Sequence, residues 1–252
     1  MKELAIRRPF SENLLFWILM LLATVIGELA GDVFLIDFHI GNPLRTCIFA
    51  IAFIVFVALQ IKQISDSPYI YWGSILLSTA LGLTIADFVD DFLGYGYTVG
   101  GVVILLMVIR SMLMWKWENT IDPLKTKVKS TEVLYYWLAI LFSQSLGSEL
   151  GEWSNHTAGI GQLGTIYIFG LLLLCIFIYW QIRRYGSFNV FWLAFIFTRP
   201  IGAAISDFLS NPVNEGGLAL SRASTIASLI TSTIIIIYLT SKNRSVMPIV
   251  IR

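Results

Sequence analysis

The chain has 252 residues, of which 57% are hydrophobic and only 13% charged, and its mean hydropathy is +0.78. Soluble domains run nearer ~45–50% apolar and ~25% charged, so these values exclude a soluble one- or two-domain protein and point to a chain embedded in a membrane. The formal net charge of +1 gives no reason to expect an acidic partner or nucleic acid.

The first residues, MKELAIRRPFSEN, do not read as a secretory signal peptide. The apolar run behind them is too long, and no small-residue cleavage site follows. A helical span needs about 20 mostly apolar residues. Eight segments qualify, at 13–32, 44–62, 69–89, 99–117, 132–151, 163–181, 188–208 and 219–240. Connections after odd spans are rich in Gly, Asn and Asp, with basic residues only at their edges, Arg45 and Arg222. The N-terminus and the segments after even spans hold Lys2, Arg7, Arg8, Lys62, Lys116, Lys125, Lys127, Lys129, Arg183, Arg184, Lys242, Arg244 and Arg252, which are 13 of the 17 basic residues. Basic residues gather on the cytoplasmic side, so both termini are expected there. Cys47 and Cys175 fall inside apolar runs and read as small packing residues, not as a disulfide.

The spans repeat. Tryptophans stand at 17, 72, 137 and 192, and ten residues after each comes a glycine: Gly27, Gly82, Gly147 and Gly202. Fifteen residues after each comes an acid: Asp32, Asp87, Glu152 and Asp207. The halves also align, SENLLFW at 11–17 with TEVLYYW at 131–137. The unit is a two-span hairpin present four times. Residues 1–120 form a first half with repeats 1 and 2, and residues 121–252 a second half with repeats 3 and 4. The polar stretch TIDPLKTKVKS lies where the halves join. Because each unit holds two spans, every odd helix points the same way. The expected fold is all-α: eight transmembrane helices as four parallel two-helix repeats, with pseudo-symmetry along the membrane normal.

This pattern resembles a bacterial family of membrane proteins of unknown function, built from four tandem two-helix repeats with a Trp and a Gly-x-x-x-Gly-Asp ending. The likeness covers essentially the whole chain. The sequence departs from the ending at Glu152, which replaces Asp, and at Ala86 and Ser206, which replace the second glycine. The resemblance implies a multi-pass protein of the bacterial inner (plasma) membrane.

The acids carry the chemistry. Glu28 and Asp32 are one helical turn apart, and Asp87 and Asp91 repeat that spacing, with Asp90 beside them. Glu149 and Glu152 are three residues apart, and Ser206 precedes Asp207. An acid at the centre of a membrane helix costs roughly 2.5–3.5 kcal/mol. If the odd helices line the centre, these carboxylates must bind cations, take up protons or pair with arginines. Oxygen-only donors suit hard divalent ions of the Mn/Mg/Ca class. The candidate metal ligands are Glu28, Asp32, Asp87, Asp91, Glu149, Glu152 and Asp207, with His39 and His156 as nearby loop residues. Arg110 and Arg199 are candidate charge partners. Pro200 should bend the seventh helix or free carbonyls near the acids. The repeated tryptophans suit an aromatic belt or a packing wedge, and the repeated glycines suit close helix contact. GYGYTVGG at 94–101 reads as a flexible outer turn, its order being wrong for a selectivity filter. No P-loop, HExxH or nucleophile elbow is present, so no enzyme is expected.

The expected function is transport of a hard divalent cation through these carboxylates, with coupling to protons open. The expected partners are membrane lipid, the metal ion as substrate or ligand, and protons. The alternatives are a proton-coupled carrier of a small organic solute, and a non-transporting intramembrane enzyme or sensor.

Overall fold

The computed structural model describes residues 14–61, 67–121, 130–183 and 188–241. The N-terminal segment, the linker at 122–129 and most of the basic residues used for orientation lie outside them; Lys116 and Arg183 lie inside.

The described residues form eight long helices and no strand. They are α1 (Leu14–Asp32), α2 (Asn42–Ile61), α3 (Pro68–Asp87), α4 (Gly96–Ile121), α5 (Ser130–Glu152), α6 (Gly161–Arg183), α7 (Phe188–Ser210) and α8 (Arg222–Ser241). Every expected span falls on one of them. Seven helices are long and apolar enough to cross a membrane, and α5 is outside that set. The reason is its composition: α5 carries Glu132, Glu149 and Glu152, with Ser143, Gln144, Ser145 and Ser148 between. The chain is therefore an all-helical, multi-pass membrane protein.

The odd helices form a closed ring. α1 packs on α3, α3 on α5, α5 on α7, and α7 returns to α1. Each even helix lies outside, against the next ring helix: α2 on α3, α4 on α5, α6 on α7 and α8 on α1. Within the protein, 61% of the most apolar stretch is buried in α1 and in α3, and 72% in α7, against 28% in α2 and α4 and 11% in α6 and α8. The outer helices thus turn residues such as Leu171, Ile182 and Ile235 outward, as a lipid-facing surface requires.

The repeated glycines are where the ring helices touch. A Cβ at Gly27 would strike the Thr79 side chain, and one at Gly202 the Thr24 side chain. At Gly82 it would stand 2.8 Å from Gln144 Cβ, and at Gly147 2.8 Å from the Ile196 carbonyl oxygen. Thr24, Thr79 and Gln144 each lie seven residues after their tryptophan, as does Arg199, whose Cγ is 2.9 Å from a Cβ at Gly147. Each glycine therefore meets the same position of the next ring helix, and the fourth closes on the first. In a membrane such small-residue contacts replace the hydrophobic drive that water would supply. The Ile196 carbonyl is also the one that Pro200 deprives of its i+4 N–H. α7 nevertheless runs unbroken through Pro200.

At the other end of the ring the tryptophans act as packing wedges. Trp72, Trp137 and Trp192 are each no more than 3% exposed. The residue before each tryptophan is aromatic, and three of the four pack on the repeated tryptophan of a neighbouring unit: Phe16 on Trp72 at 5.5 Å, Tyr71 on Trp137 at 5.7 Å, Phe191 on Trp17 at 5.4 Å; Tyr136 packs on Trp115 at 5.5 Å. The buried Tyr71 and Tyr136 hydroxyls meet at 3.1 Å. This aromatic layer fills the ring where the odd helices begin.

Two local expectations change. Cys47 and Cys175 are free and exposed, on the outer helices α2 and α6, because both point away from the ring. In GYGYTVGG only the first residues turn, with Gly94 and Gly96 at positive φ; from Gly96 onward the stretch is the start of α4.

Candidate functional site

The repeated acids sit at the far ends of the ring helices. Asp32, Asp87 and Glu152 are the last residues of α1, α3 and α5, and a π-helical turn follows each: Val33–Asp37, Phe88–Phe92 and Trp153–Thr157. The closing bonds run five residues back, from Phe38 N–H to Val33 O (3.0 Å), Leu93 N–H to Phe88 O (3.0 Å) and Ala158 N–H to Trp153 O (2.9 Å). π-turns are rare and often mark functional sites. The fourth unit lacks one. Asn211 N–H bonds Asp207 O at 2.8 Å in the ordinary α pattern. Pro212 stands where Asp37, Phe92 and Thr157 stand in the other units, and without an N–H it cannot donate back to Asp207.

The ring brings these acids within electrostatic reach of one another. Asp32 feels Glu28, Asp207 and Asp87. Glu152 feels Glu28, Asp207, Asp87 and Asp32. Glu28, from one turn deeper in α1, acts on Asp87 and Asp207 as well. Five carboxylates from four helices thus share one end of the ring.

Two buried arginines answer part of that charge. Arg199 on α7 is fully buried and ion-pairs with Glu28. Its Nη1 donates to the Thr24 carbonyl and its Nη2 to the Thr79 carbonyl, both at 3.4 Å. Arg45 on α2 is 1% exposed and pairs with Asp87. It also donates from Nη1 to the Gly31 carbonyl at 3.3 Å, and to Asn42 Oδ1 from Nε at 3.0 Å and from Nη2 at 2.7 Å. Asn42 Nδ2 in turn donates to Asp91 Oδ2 at 3.4 Å. In the sequence Arg45 is only an edge residue of a connection. The available signal was that it is a basic residue in an outer connection otherwise poor in them. Arg110 lies on an exposed face of α4, away from the ring. Arg222 stands 3.4 Å from Asp37 in an exposed pair.

Glu149 feels the ring acids Asp87 and Glu152 and has a nearer carboxyl besides. It is 1% exposed, and it faces Asp90, which is 8% exposed, beside Gly100 of α4. A Cβ at Gly100 would lie 2.9 Å from Glu149 Oε1 and would also meet Asp90 Oδ1. The missing side chain leaves room for the two carboxyls. Asp91 is exposed on the second π-turn, His39 is exposed in the loop after the first, and the His156 side chain lies outside what is described. Among the described residues, no three His, Cys, Asp or Glu side chains stand close enough to hold one metal ion.

The arrangement therefore combines a group of mutually repelling carboxylates, two arginine counter-charges and a closed aromatic end. Carboxylates crowded in this way are suited chemically to exchanging protons. No curated protein and no solved structure matches the chain. The model of the Repeat of Unknown Function (DUF347) matches residues 15–63, 135–185 and 190–244, the first, third and fourth units. The second unit, outside those matches, occupies the equivalent ring position through α3. With more than half of its residues matched, the chain belongs to the DUF347 repeat family.

Proposed function

We propose that the protein is a proton-coupled membrane transporter, and not an enzyme, whose ring carboxylates take up and release protons as a small solute or ion crosses. In this reading all eight helices span a bacterial inner membrane, with both termini cytoplasmic. The four units are parallel and related by an axis along the membrane normal; the matching glycine contacts around the ring support that arrangement. α5 crosses although it is polar, because its polar face is shielded by α3, α4 and α7.

The observation that carries the reading is the gathering of Glu28, Asp32, Asp87, Glu152 and Asp207 around one end of the ring, where Arg199 ion-pairs with Glu28, Arg45 with Asp87, and Arg222 acts from further off on Asp32 and Asp207. Carboxylates crowded out of water cannot all stay ionised, and protons are their cheapest neutralisers. The second reading is transport of a hard divalent cation of the Mn/Mg/Ca class, which the same oxygen-only convergence favours. It would need Asp32, Glu152 and Asp207 to close around the ion beyond the spacing described above.

The test is calorimetry of purified protein with Mn²⁺, Mg²⁺, Ca²⁺ and Zn²⁺, with Asp32→Asn alongside, followed by proton-release measurements when a pH step is applied to vesicles. Proton release that Asp32→Asn and Glu152→Gln reduce, without metal binding, upholds the first reading. Metal binding lost in Asp32→Asn transfers the assignment to the second. Neither signal in folded protein overturns both.

A further inference from the structure

The odd helices enclose an axis, and one side chain crosses it. α7 neighbours α5 and α1 in the ring, and α3 lies opposite. Arg199, rooted on α7, donates to the carbonyl of Thr24 on the adjacent α1 and to the carbonyl of Thr79 on the opposite α3. A side chain of α7 reaches a backbone oxygen of α3 only by passing through the middle of the ring. Its guanidinium therefore lies between the acid group at one end and the aromatic layer at the other.

The layer in which it lies is equivalent in all four units. Thr24, Thr79 and Gln144 occupy the same repeat position, seven residues after the tryptophan. Three units place a neutral side chain there, and the fourth places a permanent positive charge. Arg199 is fully buried, and its partner Glu28 is 5% exposed. A fixed guanidinium on a narrow path raises the energy of any cation in that layer, as arginines do in pores that exclude protons and metal ions.

We propose that Arg199 is the charge barrier of the pathway, the residue that keeps protons and cations held by the ring acids from leaking onward to the aromatic end. The proposal rests on the transporter reading given above and takes the ring axis as its path. It adds a selectivity role that pairing with Glu28 does not by itself require. Glu28 anchors the guanidinium on one side, and the two carbonyls hold it across the axis.

The experiment is passive proton flux into vesicles holding the purified full chain, with an internal pH-sensitive dye and a potential imposed by a potassium gradient and valinomycin. The variants are Arg199→Gln, Arg199→Lys, Glu28→Gln and the double variant Glu28→Gln/Arg199→Gln. The double variant leaves no unpaired buried charge and so guards against a simple folding failure. Arg199→Gln and the double variant are expected to leak faster by about tenfold or more, the factor that each 1.4 kcal/mol or so of lost barrier gives. Arg199→Lys and Glu28→Gln keep a cation on the axis and are expected to stay tight. A folded double variant as tight as the original chain overturns the proposal, and so does a leak in Arg199→Lys equal to that in Arg199→Gln.

The underlying reading is probed separately. Asp32→Cys, in a chain with Cys47 and Cys175 replaced by Ala, is treated with a membrane-impermeant maleimide. Labelling shows that water reaches the acid end of the ring. No labelling from either side of the membrane sinks the pathway itself; labelling together with a tight double variant sinks only the barrier.

Discussion

Arg199 of α7 and Glu28 of α1 form an ion pair across the contact that closes the ring, with the arginine fully buried. The pair joins the last repeat to the first, so it does the work of a clasp as well as a charge balance. Removing one partner of a buried pair leaves the other uncompensated, at a cost of roughly 3–5 kcal/mol. Arg199→Gln and Glu28→Gln should each lower the melting temperature in detergent markedly. The double variant should recover much of the loss. A double variant whose loss equals the sum of the two single losses would show that the two residues act independently.

Arg45 ties the α1 and α3 acid ends together from outside the ring, through Asp87, the Gly31 carbonyl and Asn42. Arg45→Ala removes the charge and every one of these bonds. It should destabilise the protein by about 3 kcal/mol or more. Asn42→Ala loses side-chain hydrogen bonds alone and should cost about 1 kcal/mol. Chemical denaturation followed by tryptophan fluorescence measures both, and comparable losses would count against a dominant role for the charge.

The glycine contacts make a contrast that needs no functional assay. Gly27 and Gly202 each abut a threonine of the next ring helix, whereas nothing lies within 4 Å of a Cβ built at Gly170 on α6. Gly27→Ala and Gly202→Ala should each cost about 1–3 kcal/mol through overpacking. Gly170→Ala should be neutral or slightly stabilising, since alanine favours the helix. Thermal melts of the three variants decide this. Insensitivity at Gly202 would mean that α7 does not pack tightly on α1.

Asp90 and Glu149 face each other in the space beside Gly100. Replacing one by its amide removes the repulsion of two carboxylates while keeping a hydrogen-bonding group in place. Glu149→Gln should therefore melt at the same temperature as the original chain or higher in mildly alkaline buffer. A drop of the size expected for Arg45→Ala would instead mean that Glu149 holds a counter-charge.

Much of the architecture was legible before any tertiary contact. Apolar runs of membrane length mark the helices, because a span must bury its backbone polar groups internally and meet hydrocarbon outside. The Trp–Gly–acid register marks the four units, including the second, which the family matches do not cover. α5 shows the limit of hydropathy: it is placed by its contacts on α3, α4 and α7, not by its own polarity. The π-turns were not legible, since the segments after Asp32, Asp87 and Glu152 share no residue pattern; only Pro212 signals where such a turn cannot form.

The sequence by itself determined that this is a helical, membrane-embedded repeat protein with acids at a fixed place in each unit. Periodicity and composition depend on the solvent each residue must face, and that can be read locally. Tertiary structure alone decided which charges meet. Arg45 looked like a loop-edge residue and is a buried partner of Asp87, and Arg199 reaches backbone from two other helices, one of them across the ring. Those outcomes depend on the order in which helices close around an axis, and residues 175 apart in sequence, such as Thr24 and Arg199, become neighbours only when the ring closes.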